Sequence, residues 1–391
     1  MRLRNCLLLA VAAAAVLATQ GKWAQAQQQL AGAQSPVTEP ALHTKAAAPR
    51  VVVAVSARDK KGNLLKSLAK ADLTLTEDGR AQTILSVEQA TAAPLRLGVV
   101  VDTSREMAGQ LETARKAAAK FVDQMLPAGA KEGDASDQVF VMHYDRQVEL
   151  LEDFTTEHAK LDRELEEMTP TRSGRDENAG PETADEDRGE RAGGRASRGG
   201  GATLYDAIYL AGDELFKTAP GRHVLVILSD GVDRGSKESL NEALDAAERV
   251  QVTLYTIYLK GEQNRGEELG GPGQQQRRGG LGGNWPGSGG GRPSSAPSGG
   301  ESKKKSSEDG KKTLERLATR SGGRTYEAKK KEALDEIYFQ IATEIGSQLL
   351  VSYTPDLVDK DGGFHKLAVK ATREDVTVAA PEGYFAPGGG R

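Results

Sequence analysis

From residue 95 to about 347 the chain alternates short, almost wholly apolar runs with stretches of helical periodicity, and this limits the fold more than any other feature. Residues 95–101, 224–228 and 252–259 are apolar at most positions on both faces, with Arg96, Thr253 and Thr256 the exceptions, so neither face of such a strand is built to meet water. After the first run, Met107, Leu111, Ala114, Ala118, Phe121, Val122 and Met125 recur at the spacing of one helix face. Leu204, Ile208, Ala211 and Leu215 do the same. Further helices are expected over 157–168, 236–250, 311–320 and 331–347, with strands at 138–144, 148–151 and 324–326. Buried strands separated by helices predict an α/β fold, a doubly wound and mostly parallel sheet of the Rossmann-like kind.

The flanks read differently. Arg2 and Arg4 precede an apolar stretch, 7–18, and then Ala24-Gln25-Ala26, which predicts a secretory signal peptide over 1–26. The apolar stretch is shorter than the roughly 20 residues of a membrane span. No later segment is apolar enough to span, so the mature protein is expected to be exported, periplasmic or extracellular, with no stable membrane anchor. The one cysteine, Cys6, falls in the leader. No disulfide can therefore form, and a core of this size needs none. A net charge of −4 argues against nucleic acid as a partner. The sequence carries no signal for an oligomeric state.

Residues 27–48 form a Gln-, Ala- and Pro-rich linker. The segment 49–93 alternates at Val51, Val53 and Val55, turns at 59–63 and again at Glu77-Asp78-Gly79-Arg80, and has further strands at 73–76 and 84–87. The segment 348–386 repeats this character, with strands at 349–353, 366–371 and 376–379 and a hairpin turn expected at 359–363. Neither segment can bury a core alone. Together they predict a small β-sandwich into which the α/β domain, 94–347, is inserted. Two inserts interrupt that domain. One, 171–201, holds six arginines and seven acids, and the other, 261–312, is rich in Gly, Ser and Pro. Both are expected to be disordered. Both emerge at the carboxyl edge of the sheet, either as tolerated loops or as elements that shape that face.

That edge gathers the chemistry. Val99-Val100-Val101-Asp102-Thr103-Ser104 is a strand ending in a carboxylate and two hydroxyls. Thr203, in Gly201-Ala202-Thr203-Leu204-Tyr205-Asp206, starts a helix. Asp230, in Leu228-Ser229-Asp230-Gly231, ends a second strand. Carboxylates with hydroxyls are hard oxygen donors of the kind Mg²⁺ and Ca²⁺ take. Singly, each is also an ordinary helix cap or turn.

In this order the residues resemble the von Willebrand factor type A (VWA) domain and its metal-ion-dependent adhesion site, with the motif Asp-x-Ser-x-Ser and a distant Thr and Asp. The likeness is to secreted bacterial VWA proteins and spans roughly 50–386 without the inserts. It implies that Asp102, Ser104, Thr203 and Asp230 hold Mg²⁺ or Mn²⁺, with Ca²⁺ a further candidate. It also implies an open coordination position for an Asp or Glu of a partner protein. Glu106 stands where the motif has its second serine. Either it is a fifth ligand, or it closes a Thr-x-x-Glu capping box on the Thr103 amide.

Adhesion through the ion is thus the expected function, with no enzymatic activity and no catalytic residue. One alternative is a metal-independent VWA scaffold for an envelope or secreted complex. A metal-dependent phosphotransfer or hydrolytic enzyme has less support. The chain shows no Gly-x-x-x-x-Gly-Lys loop, no Gly-x-Gly-x-x-Gly before a helix and no Gly-x-Ser-x-Gly elbow after a strand. His143 and His223 lack paired ligands at metal spacing and read as structural.

Overall fold

The structure, a computed structural model, describes residues 50–127, 129, 133, 136–170, 202–261, 299–329, 333–355 and 362–386, and of 299–308 only the backbone. All of these belong to one unit, 49–391. The predicted leader and linker, the insert 171–201 and residues 262–298 of the second insert lie outside the described residues.

Four strands come first: β1 (Val51–Asp59), β2 (Leu73–Glu77), β3 (Arg80–Gln82) and β4 (Ile84–Gln89). Then follow β5 (Leu95–Asp102), β6 (Gln138–Tyr144), β7 (Val148–Thr155), β8 (Arg222–Ser229), β9 (Thr253–Leu259) and β10 (Thr325–Ala328). The last four are β11 (Leu349–Tyr353), β12 (Phe364–Ala371), β13 (Val376–Ala379) and β14 (Gly383–Phe385).

The middle group forms one sheet in the order β10-β9-β8-β5-β6-β7. Every neighbouring pair is parallel except β6–β7. Only Asp145, Arg146 and Gln147 separate those two strands, too few for a crossover, so the chain must turn back on itself. Helices cover both faces. On one side α1 (Leu111–Met125), α2 (His158–Glu167) and α6 (Leu334–Ser347) bury Val99 and Val101 of β5. On the other, α3 (Leu204–Leu210), α4 (Leu240–Arg249) and α5 (Gly299–Arg320) bury Val100. A strand's period of two residues sends alternate valines to opposite cores, which is why an unbroken apolar run is needed here.

The order has a functional consequence. From β5 the chain moves outward to β6 and β7, then returns to place β8 on the opposite side of β5. The connections therefore diverge at the carboxyl ends of β5 and β8, the place where open α/β sheets form a crevice.

The flanking strands make two four-stranded sheets, β13-β1-β11-β4 and β14-β12-β2-β3, closed on a core that includes Val53, Val55, Leu75, Val351 and Leu367. Each sheet combines early and late segments, since β1 pairs with β11 and β13 in the first while β2 pairs with β12 in the second. The sandwich is bound to the α/β part by buried polar contacts at the amino ends of the parallel strands. Arg58 on β1 meets the fully buried Glu344 of α6, and Arg222 Nη1 donates to Gln348 Oε1 at 3.0 Å.

Three expectations are corrected. The strands on either side of 359–363, β11 and β12, lie in different sheets and do not pair as a hairpin, and residues 359–361 themselves lie outside the described residues. The helix expected from 236 begins at Leu240, where Ser239 and Glu242 form a capping box. Ser236 instead spends its hydroxyl on the amides of Tyr205 and Asp206, both at 3.1 Å. The second insert is not wholly a linker, since α5 starts at Gly299. Residues 301–312 hold a single glycine and many Lys, Glu and Ser, and buried Leu314 and Leu317 anchor a helix that can extend back through them.

Gly98 in β5 has no room for a side chain. A methyl group there would collide with the Phe140 ring and with Leu225 Cδ1. Gly98→Ala should lose about 1–3 kcal/mol through overpacking. Urea unfolding would show this as a lower midpoint at an unchanged slope, and an unchanged midpoint would mean that the strands do not approach this closely.

Candidate metal centre

Asp102 is the last residue of β5, and its side chain is 1% exposed. Its oxygens are held from two directions. Oδ1 accepts from the Ser104 amide at 2.9 Å, and Oδ2 accepts from Ser229 Oγ at 3.1 Å. Beneath them the Tyr144 hydroxyl donates to Ser229 Oγ at 2.7 Å and lies 3.3 Å from Asp102 Oδ2. Burial raises the Asp102 carboxyl to about 7, and the charge of Asp230 adds to the rise. Burial likewise pushes the Tyr144 hydroxyl well up.

Asp230 follows β8. Its Oδ1 accepts from the Val232 amide at 2.9 Å, and its Oδ2 pairs with Arg234 Nη2 at 3.2 Å. Burial raises the Asp230 carboxyl, Arg234 opposes that, and the charge of Glu106 adds to it. The Arg234 amide donates to Ala202 O at 2.8 Å. One residue thus ties the loop after β8 to the loop that carries Thr203.

Thr203 is buried at the start of α3, where its Oγ1 donates to Asp145 O at 3.1 Å. Donation uses the only proton of the hydroxyl and leaves its lone pairs to accept. Ser104 is more telling. Its Oγ is buried and close to Asp102, yet it makes no well-formed hydrogen bond to any described residue. An orphaned buried hydroxyl calls for a cause, and an unfilled ligand position is one.

Glu106 sits in a single turn, Arg105–Met107, and is partly exposed. The capping box on Thr103 does not form. The Thr103 amide is already bound to Tyr144 O at 3.0 Å, and Thr103 Oγ1 faces His143 Nδ1 at 2.9 Å. The charge of Glu106 instead acts on Asp230. A Cβ built on Gly261, just past β9, would stand 3.1 Å from Glu106 Cβ and 3.3 Å from Asp230 Oδ2. Gly261 is also where the second insert departs. Its return passes the same place, because Gly231, at a φ of 73°, packs against the Gly310 carbonyl.

Asp102, Ser104, Thr203 and Asp230 therefore stand at the crevice between β5 and β8, with Glu106 on its rim. Among the described residues no three Asp, Glu, His or Cys side chains gather closely enough to cage an ion. Any ion here would lean on the hydroxyls, and the donor set of two acids, Ser104 and Thr203 fits a hard divalent cation. Sequence reasoning missed Tyr144, Ser229 and Arg234. Ser229 lies within the motif's own stretch and Arg234 four residues after Asp230, but only the folded chain turns them onto the two aspartates.

The family model of the von Willebrand factor type A domain matches residues 97–232. Residues 97–232 carry a VWA domain. Among solved structures it is similar to proximal thread matrix protein 1 from the mussel byssus, with a zinc occupied MIDAS motif, at 11% identity and a TM-score of 0.40. That match covers 67% of this chain and 50% of the mussel chain, so the protein spans about half of that chain's length. It is similar also to the vWF domain of the type V pili tip protein Mfa5 from Porphyromonas gingivalis, at 14% identity and a TM-score of 0.39, covering 65% and 95%. A third is a von Willebrand factor type A protein from Catenulispora acidiphila, at 11% identity and a TM-score of 0.40, covering 88% and 75%. A comparison with curated proteins gave no match. Among the described residues, no helix is long and apolar enough to cross a membrane.

The two histidines are held as structural groups. His223 lies between Val250 O and Ala219 O at 2.6 and 2.8 Å. His143 joins Thr103 Oγ1 to Glu149 Oε2, at 2.9 and 3.1 Å. This is the order of a hydroxyl, imidazole and carboxylate relay, but Thr103 is 0% exposed and offers no substrate a path.

The raised Asp102 carboxyl fixes a pH dependence. Without metal, the folded protein retains a proton that the unfolded chain releases above about pH 4. Its contribution to stability is complete below that pH and is lost as the pH rises towards 7. The melting temperature of metal-stripped protein should therefore fall between pH 5 and pH 8 more steeply for the wild type than for Asp102→Asn. Equal slopes would show that Asp102 titrates normally.

Proposed function

We propose that the VWA domain is an exported protein-binding module that holds a divalent ion, Mg²⁺ or Mn²⁺, on Asp102, Ser104, Thr203 and Asp230. The ion captures an Asp or Glu of a partner protein. The observation that carries this reading is the buried Ser104 Oγ, which makes no well-formed hydrogen bond although it lies close to the strand-end Asp102. A bound ion would supply a Lewis-acidic position for a carboxylate oxygen. The chain's own part is to hold the donors. Tyr144 and Ser229 orient Asp102, the Asp145 carbonyl takes the Thr203 proton, and the β5–β8 crevice keeps the cluster out of bulk water. The amino-terminal sequence supports export.

A second reading rests on Arg234. Its guanidinium already neutralises Asp230, so a metal-independent scaffold that binds partners through other surfaces is the alternative. Phosphotransfer or hydrolysis finds no exposed nucleophile among the residues of this site.

Ser104→Ala separates the two readings. It removes a buried hydroxyl that makes no well-formed hydrogen bond, so the metal-free protein should melt at nearly the same temperature. Calorimetric titration of Mn²⁺ into metal-stripped protein should show one site, at least tenfold weaker in Ser104→Ala and absent in Asp102→Ala. Affinity should also weaken about tenfold for each pH unit below 7, because the ion displaces the Asp102 proton. If the intact protein takes up neither Mg²⁺ nor Mn²⁺, the scaffold reading replaces this one.

A further inference from the structure

Glu106 and Arg234 are the two charged side chains at this site that the adhesion motif does not use, and they have opposite signs. Arg234 pairs with Asp230 at 3.2 Å. The carboxylates of Asp230, Glu106 and Asp102 all act on its guanidinium. Glu106 and Asp230 both border the space over Gly261. Counted with their charges, Asp102, Asp230 and Glu106 against Arg234 leave two net negative charges, the number that one divalent ion neutralises. Without Arg234 the site would carry three, and without Glu106 only one.

We propose that Arg234 and Glu106 are a compensating pair, in which Arg234 offsets the carboxylate at position 106 and returns the site to the charge of a two-carboxylate divalent centre. The inference rests on the metal reading given above and concerns what sets its affinity. Arg234 does not ligate an ion, since a guanidinium has no lone pair to offer and no proton it will release. It acts through charge, at a distance where the low dielectric of a buried site keeps the effect large. Its ties to Ala202 O and Asp230 hold it on the rim, so it raises the cost of a cation in a site that Glu106 would otherwise make too negative.

The test is Mn²⁺ titration calorimetry, with melting temperatures in EDTA and in Mn²⁺, on the full chain and four variants. Arg234→Met should bind Mn²⁺ about tenfold more tightly or better, and Glu106→Ser about tenfold more weakly. The double variant should return to within about threefold of the wild type, and Arg234→Lys, which keeps the charge, should also stay near it. In EDTA, Arg234→Met should melt lower than the wild type, and Mn²⁺ should raise its melting temperature by more. A residue that merely clasps the loops predicts the reverse, with weaker binding in Arg234→Met and no rescue by lysine, and that result would overturn the pair. Should Arg234→Met fail to fold, an unchanged Mn²⁺ affinity in Glu106→Ser would overturn it equally. Binding in the wild type with no opposed effects sinks the pair alone, whereas no Mn²⁺ uptake by the wild type sinks the metal reading and the pair with it.

Discussion

Burying the Asp102 carboxylate is the expense around which the site is organised. An ionised carboxylate at the end of a closed strand loses most of its hydration, and the chain must replace it or leave the group protonated. Here the replacement is partial. A backbone amide and the Ser229 hydroxyl supply hydrogen bonds, Tyr144 supports Ser229, and Gly231 donates its amide to Ser229 at 2.8 Å. These donors are too few to offset burial beside a second acid, so the carboxyl stays raised to about 7. A group held part-way towards ionisation gains most from a cation placed next to it, and the idle Ser104 hydroxyl lies beside that place.

The fold makes this burial possible. β5 is flanked by parallel neighbours on both sides and by helices on both faces, so Asp102 has no exposed side of its own. The divergence of connections at β5 and β8 opens an approach from beyond the carboxyl ends. At the opposite ends of the strands the sandwich grips the sheet through Arg58, Glu344, Arg222 and Gln348. The second insert springs from Gly261 and returns by Gly310, both against the Asp230 loop, so its roots are part of the wall of the crevice.

Much of this was legible in the sequence, for a physical reason. The unbroken valines of β5 cannot be hidden by one layer of helices, so they imply two, and two layers imply crossovers and a parallel sheet. Strand-end aspartates are equally visible, because an acid after an apolar run must lie at a sheet edge. The interleaving of early and late strands in the sandwich followed from the inability of either segment to bury a core. What failed was local. The 359–363 turn resembled a hairpin because turn chemistry is alike whether the chain reverses within a sheet or crosses between sheets. The Thr103–Glu106 cap failed because β6 supplied a better partner, the Tyr144 carbonyl, to the same amide. Tyr144 lies 42 residues from Asp102, and no local pattern brings them together.

The replacement of serine by Glu106 looks, in one dimension, like decay of a binding motif. In three dimensions its meaning depends on what faces it. A neutral ligand exchanged for a charged one alters a site in two ways, by the donor atom it presents and by the field it adds. The donor atom is peripheral here, since Glu106 lies on the rim and joins no cage of acids. The field is not peripheral, because it reaches Asp230 and Arg234 through a poorly solvated space. Arg234 is four residues beyond Asp230, near enough to pair with it and far enough along the loop to point back over the crevice. A motif read residue by residue records the loss of a hydroxyl. The sum of charges at the crevice is the quantity an ion responds to, and that sum is unchanged.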